Sequence, residues 1–187
     1  MTDLAGARIL VTGATGALGS RIAGLLAAQG AQLVLTGRDA DKLQALGIPA
    51  ELFTLDLSLP GAAASLIQTV TSAGQLDGIV AAHGVVAFGP VAELDSQTLG
   101  TLQALNQTSP IELITSAIPA LLASKAAGRE PFVLTISGVI ADMPTAGMAA
   151  YGASKAGLKS FVSATQRELR REGIRVLDTR PPHTETG

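Results

Sequence analysis

Cysteine is missing from all 187 residues, so neither a disulfide framework nor a thiolate metal site can exist in this chain. Histidine is almost as scarce. His83 and His183 stand a hundred positions apart with no second ligand at useful spacing, which sets a zinc site aside. A cationic excess is also lacking: 13 Lys and Arg against 15 Asp and Glu give a net charge of -2, and the arginines are spread from Arg8 to Arg180. That distribution disfavours nucleic acid as a partner. No uninterrupted apolar stretch reaches the roughly 18 to 20 residues of a membrane span. Met1 to Arg8 lacks the cationic and apolar regions of a signal peptide, so the cytoplasm is the expected compartment. Tryptophan is absent and tyrosine occurs once, so the core has to be built from Ala, Leu, Val and Ile. With 47% hydrophobic and 15% charged residues, the composition predicts one globular domain over residues 1–187.

Short β-branched or Leu-rich runs alternate with longer Ala/Leu segments of helical period. Strands are expected at Arg8 to Thr12, Gln32 to Thr36, Glu51 to Leu55, Gly78 to Ala82, Phe132 to Ser137 and Ile174 to Thr179. Helices are expected at Ala17 to Gln29, Ala40 to Leu46, Gly61 to Ser72, Ser96 to Ser124 with a break at Pro110, and Ala150 to Glu172. Regular alternation of this kind predicts parallel βαβ units and a doubly wound sheet covered on both faces.

The first strand runs into Thr12-Gly13-Ala14-Thr15-Gly16-Ala17-Leu18-Gly19 and then straight into a helix. Glycines there let the backbone turn tightly and approach a pyrophosphate, whose charge suits the unpaired N–H groups of a helix N-terminus. The spacing Gly-x-x-Gly-x-x-Gly departs from the usual dinucleotide fingerprint. After the second strand, Gly37 stands where a carboxylate would hold the ribose hydroxyls of NAD, and Arg38 follows it. An arginine there can pair with a 2′-phosphate, which favours NADP over NAD, while Asp39 is placed to cap the next helix. Asp56 could accept a hydrogen bond from an adenine amino group or could cap the turn after the third strand. The single tyrosine, Tyr151, lies four positions before Lys155, so phenol and ammonium share one helix face. A nearby cation lowers a phenol's pKa, which makes such a pair a plausible acid/base device.

Taken together, the turn from Thr12 to Gly19, Asp56, Asn106, Ser137 and Tyr151 with Lys155 resemble the short-chain dehydrogenase/reductase family, in order and separation, from about residue 7 to the last residue. The resemblance implies a Rossmann-type sheet of six strands in the order 3-2-1-4-5-6. It implies that Tyr151 exchanges a proton with a substrate oxygen while hydride passes between nicotinamide and substrate carbon. Lys155 would lower the Tyr151 pKa and hold the nicotinamide ribose. Ser137 would hydrogen-bond the substrate oxygen, and Asn106 would hold a water in a proton relay. Gly13, Thr15, Gly16, Ala17, Leu18, Gly19, Arg38, Asp56, Leu57, Ala82, Gly84, Tyr151, Lys155, Pro181, Thr184 and Thr186 would line the cofactor. The expected substrate is a small carbonyl compound or alcohol.

Three departures from the family pattern qualify this. Ala17 replaces a common glycine, and the glycine spacing is that of the extended branch, which alone suggests an epimerase or dehydratase on a nucleotide sugar. Ala81-Ala82-His83-Gly84 replaces Asn-Asn-Ala-Gly, and His83 is expected to be a packed replacement. Pro181-Pro182 replaces Pro-Gly, and the usual lid and seventh strand are expected to be absent. A non-catalytic dinucleotide-binding sensor or scaffold is therefore the alternative. The Ala-rich, apolar segments Ser96 to Ser124 and Ala150 to Glu172 predict a homodimer or homotetramer.

Overall fold

The structure, a computed structural model, describes residues 4–182. Six parallel strands, β1 (Arg8–Thr12), β2 (Gln32–Gly37), β3 (Ala50–Thr54), β4 (Gly78–Ala81), β5 (Phe132–Ile136) and β6 (Arg175–Thr179), form one sheet in the order β3-β2-β1-β4-β5-β6. β1 is central, pairing Leu10 with Val34 of β2 on one side and with Ile79 of β4 on the other. All five of its residues are buried, as expected of a strand covered on both faces.

Alternate side chains of the strands serve two cores, because successive Cβ atoms point to opposite faces. Leu10, Val34, Ile79, Val133 and Val176 pack with α3 (Ala62–Ala73), α5 (Ser109–Ala126) and α6 (Ala149–Leu169). Ile9, Val11, Leu33, Leu35 and Val80 pack on the other face with α1 (Ala17–Ala28) and α2 (Ala40–Ala45). The doubly wound architecture follows from this two-sided burial. Fully buried Ile9, Leu10, Leu35 and Ile79 each contribute about 1.5–3 kcal/mol relative to exposure.

The expected break at Pro110 is not there. A shorter helix, α4 (Ser96–Gln103), passes into a π-helical turn at Ala104–Thr108 and then directly into α5, so Pro110 lies in the first turn of α5. Proline lacks an N–H and crowds the carbonyl four residues earlier, and a widened turn upstream relieves both. That turn carries Asn106. Among the described residues no helix is long and apolar enough to cross a membrane, and no cluster of His, Cys, Asp and Glu could hold a metal ion.

Candidate active site

Every described residue singled out from the sequence lies at the carboxyl ends of the strands or on the helices behind them. The strand order reverses between β1 and β4, and in open α/β sheets that point opens a crevice. Gly13, with φ +68°, begins the turn after β1; a Cβ there would stand 2.7 Å from the backbone N and Cα of His83. The Gly16 N–H donates to the Gly13 carbonyl at 3.0 Å, and the Ala14 N–H donates to Thr36 at 2.9 Å, which fixes the turn against β2. Gly16 is the N-cap of α1 and offers no side chain to its first amides. The N–H groups of Ala17, Leu18 and Gly19 are therefore left for an anion, in line with the macrodipole. Gly19 is buried, and a Cβ on it would collide with the Gly13 carbonyl oxygen, so this glycine closes the turn.

Thr15 rests beside Gly37, where an added Cβ would lie 3.1 Å from its methyl. Arg38 follows, exposed, with no hydrogen bond or ion pair to other described residues. Asp39 caps α2 by accepting from the Lys42 N–H at 3.1 Å. Asp56 accepts from the Ser58 N–H at 2.9 Å. That bond and the Ser58 hydroxyl hold the Asp56 carboxyl below its usual range, with the Arg38 charge adding to the effect. Of the two roles left open for Asp56, turn capping is present in the structure. Leu57 is buried in the core beside α3.

Beyond β4, the Ala82 N–H donates to the Thr12 carbonyl at 3.2 Å. His83 is a packed side chain, as expected. Its Nδ1 shares a 2.6 Å hydrogen bond with Thr12 and its Nε2 a 3.1 Å one with Ser109, so the ring ties β4 to β1 and α5. Burial, with the nearby Lys155 charge, pushes its pKa down to about 4. Gly84 permits a close approach: a Cβ on it would lie 2.8 Å from Asn106 Oδ1 and 3.3 Å from Lys155 Nζ. Asn106 is fully buried, accepting from the Val85 N–H at 2.9 Å and donating to the Val85 carbonyl at 2.8 Å and to Ser154 Oγ at 3.1 Å. Its side chain therefore braces the loop after β4 against α6.

Lys155 projects from α6 toward the end of β5, donating to the Ile136 carbonyl oxygen at 2.9 Å. It is only 7% exposed, and burial pushes its pKa down to about 8 against the opposing influence of Asp178. Tyr151, one turn earlier, is partly buried, and burial raises its phenol above the ordinary value. The expected depression of that pKa by Lys155 is not what the structure shows: the ammonium is engaged at Ile136, and loss of water around the phenol dominates. Ser137 is fully buried and donates its hydroxyl to Asp178 Oδ2 at 2.6 Å. Pro181 accepts from the Val139 N–H at 3.2 Å, closing the loop after β5. His183, Thr184 and Thr186 lie outside the described residues.

Two features escaped the sequence reading. Asp178, inside β6, takes hydrogen bonds from Thr135 and Ser137 and an ion pair from Arg180. A carboxylate interrupting an apolar strand was the available signal. The other is a cleft of about 150 Å³ beside the start of α6, lined by apolar Phe88, Val91, Leu94 and Met148 and by polar Glu93, Asp95 and Thr98 among others. Phe88 and Val91 are exposed there.

The family model described as "short chain dehydrogenase" matches residues 7–187. An uncharacterised oxidoreductase of Staphylococcus epidermidis is 26% identical over 182 residues, which is 95% of this chain and 77% of that protein. A metagenomic short-chain oxidoreductase solved in complex with NADP is 34% identical, with a TM-score of 0.88 over 96% of this chain and 84% of that one. A 3-oxoacyl (acyl-carrier-protein) reductase of Agrobacterium tumefaciens, solved with NADP bound, is 25% identical with a TM-score of 0.91, covering 98% of this chain and 72% of its own.

Proposed function

This chain belongs to the short-chain dehydrogenase/reductase family of NAD(P)-dependent oxidoreductases, and within it we propose an NADP-dependent enzyme that interconverts a carbonyl compound and a secondary alcohol, with Tyr151 as the general acid/base. The observation that carries the reading is the meeting of Gly84, Asn106 and Lys155 at the ends of β4 and β5, with Tyr151 one helical turn before Lys155. Bound in the glycine cradle, the nicotinamide cofactor supplies or takes the hydride. The bare amides of Ala17, Leu18 and Gly19 fit its pyrophosphate, and the unpaired Arg38 fits the 2′-phosphate that distinguishes NADP.

The residues around the reacting oxygen have separable tasks. The Tyr151 phenol, raised by burial, stays protonated at neutral pH and can give its proton to a substrate oxygen in the reduction. Lys155, cationic below about pH 8 and fixed by the Ile136 carbonyl at the end of β5, holds the nicotinamide ribose. Ser137 contacts the same oxygen. The cleft near the start of α6, whose lining mixes apolar side chains with the Glu93 and Asp95 carboxylates, receives the rest of the substrate.

The reading includes a cytoplasmic homodimer or homotetramer in which α6 takes part. Small residues Ala156, Ser160, Ser163 and Ala164 on its outer side allow close packing of a second copy, and light scattering at micromolar concentration tests this. A dinucleotide-binding sensor of the same fold is the second reading, favoured by one observation: the buried Ser137 hydroxyl is held by Asp178. NADPH oxidation with a panel of carbonyl compounds separates the two. Turnover supports the enzyme; tight NADPH binding with no turnover on any compound supports the sensor.

A further inference from the structure

The side chain of Asp178 is 5% exposed and sits in β6 beside the last residues of β5. Thr135 donates to its Oδ1 at 2.8 Å, Ser137 to its Oδ2 at 2.6 Å, and Arg180 Nε approaches Oδ2 at 3.3 Å. Arg180 also reaches Asp142 at 3.0 Å, and Asp142 pairs with Lys159 of α6, so the arginine that holds the carboxylate is itself held. A carboxylate paired with arginine has lone pairs only, so both hydroxyls facing it must be donors. Serine has a single proton. While that proton is hydrogen-bonded to Asp178, Ser137 has nothing to donate to a carbonyl oxygen and can only accept.

We propose that Asp178 is a positioning residue that accepts the hydrogen bond of the Ser137 hydroxyl, so that Ser137 offers a lone pair to the reacting oxygen and the site matches the hydroxyl form of the substrate better than the carbonyl form. This rests on the reading of Ser137 as a contact to that oxygen. A hydroxyl substrate can donate to Ser137 Oγ, whereas a carbonyl oxygen meets lone pair against lone pair there and depends on Tyr151 alone for a hydrogen bond. A leucine at position 178 keeps the branched shape and removes the acceptor, leaving the serine proton free for a carbonyl oxygen; an amide would not, because the oxygen it turns toward Arg180 Nε is the one Ser137 faces.

The test uses an alcohol and its ketone that the wild type interconverts, each measured as an inhibitor in the unreactive combination: the alcohol with NADPH, the ketone with NADP. Asp178→Leu is expected to weaken the alcohol by about three- to tenfold while the ketone is unchanged or tighter. In a Ser137→Ala background the same substitution is expected to do neither. Equal losses for both ligands, or an alcohol loss that persists without Ser137, would overturn the proposal. If Ser137→Ala alone leaves both affinities and turnover at wild-type values, or if the wild type interconverts no such pair, the underlying reading of the site fails and takes the proposal with it. Thermal unfolding and NADPH fluorescence check that the variant is folded and binds cofactor. Should Asp178→Leu fail that check, Asp178→Ala, which removes the same acceptor at smaller volume, is expected to show the same pattern, and no pattern there overturns the proposal.

Discussion

Lys155 Nζ donates to the Ile136 carbonyl oxygen at 2.9 Å, so the buried ammonium of α6 is fixed to the end of β5 by a backbone acceptor, the Tyr151 phenol lying one turn before it. Its pKa falls from 10.5 to about 8 through burial. A base whose folded value is depressed binds fewer protons than the unfolded chain between the two values, so stability rises with pH across about 8 to 10.5. Below about 8 the penalty is present in full. Lys155→Met removes it, and thermal unfolding should show the variant gaining on the wild type at pH 7 by on the order of 3 kcal/mol relative to the same comparison at pH 10.5. Activity should move the other way, with kcat/KM falling at least about a hundredfold at pH 7.

His83 is held by Thr12 and Ser109, and its depressed pKa of about 4 makes it neutral in the folded protein at pH 7. The unfolded chain binds the extra proton between about pH 6.5 and 4, so stability is lost as pH falls through that window. His83→Gln should flatten that part of the acid unfolding profile by on the order of 2–3 kcal/mol, followed by urea titration at pH 7, 5.5 and 4.

Arg38 is exposed and unpaired among the described residues. Arg38→Ala should leave the unfolding temperature within about a degree or two, since exposed substitutions stay within about 0.5 kcal/mol. Affinity for NADPH should fall by about ten- to a hundredfold while NADH is nearly unchanged, read by cofactor fluorescence. Equal losses for the two would remove the assignment to the 2′-phosphate.

Asn106 makes three side-chain hydrogen bonds from a fully buried position. Asn106→Ala leaves the Val85 N–H and carbonyl without that partner and should cost about 2–4 kcal/mol in urea unfolding. Turnover should drop with it, because the loop carrying Gly84 loses its brace against α6.

Much of this was legible in the chain. Strand limits agree with the expected ones to within one residue at β1, β2, β3, β4, β5 and β6, because buried parallel strands are continuous apolar runs between glycines and helices. The turn at Gly13 and the facing pair Tyr151 and Lys155 follow from local rules of backbone freedom and helical period. Long-range geometry was not legible. Pro110 reads as a helix breaker until the π-turn before it is seen, and the Ser137–Asp178 bond spans 41 positions and depends on the register of β5 with β6. The direction of the Tyr151 shift was missed for a related reason: a lysine at i+4 can be counted from sequence, but the Ile136 carbonyl that holds it and the burial of the phenol cannot.

The central claim is that the Tyr151 phenol carries the proton in a carbonyl reduction. NADPH oxidation should be measured for wild type and Tyr151→Phe with the best substrate of a carbonyl panel, cofactor affinity being checked in parallel. The account predicts that Tyr151→Phe binds NADPH as the wild type does and loses at least about a hundredfold in kcat. Equal rates in the two proteins would contradict it.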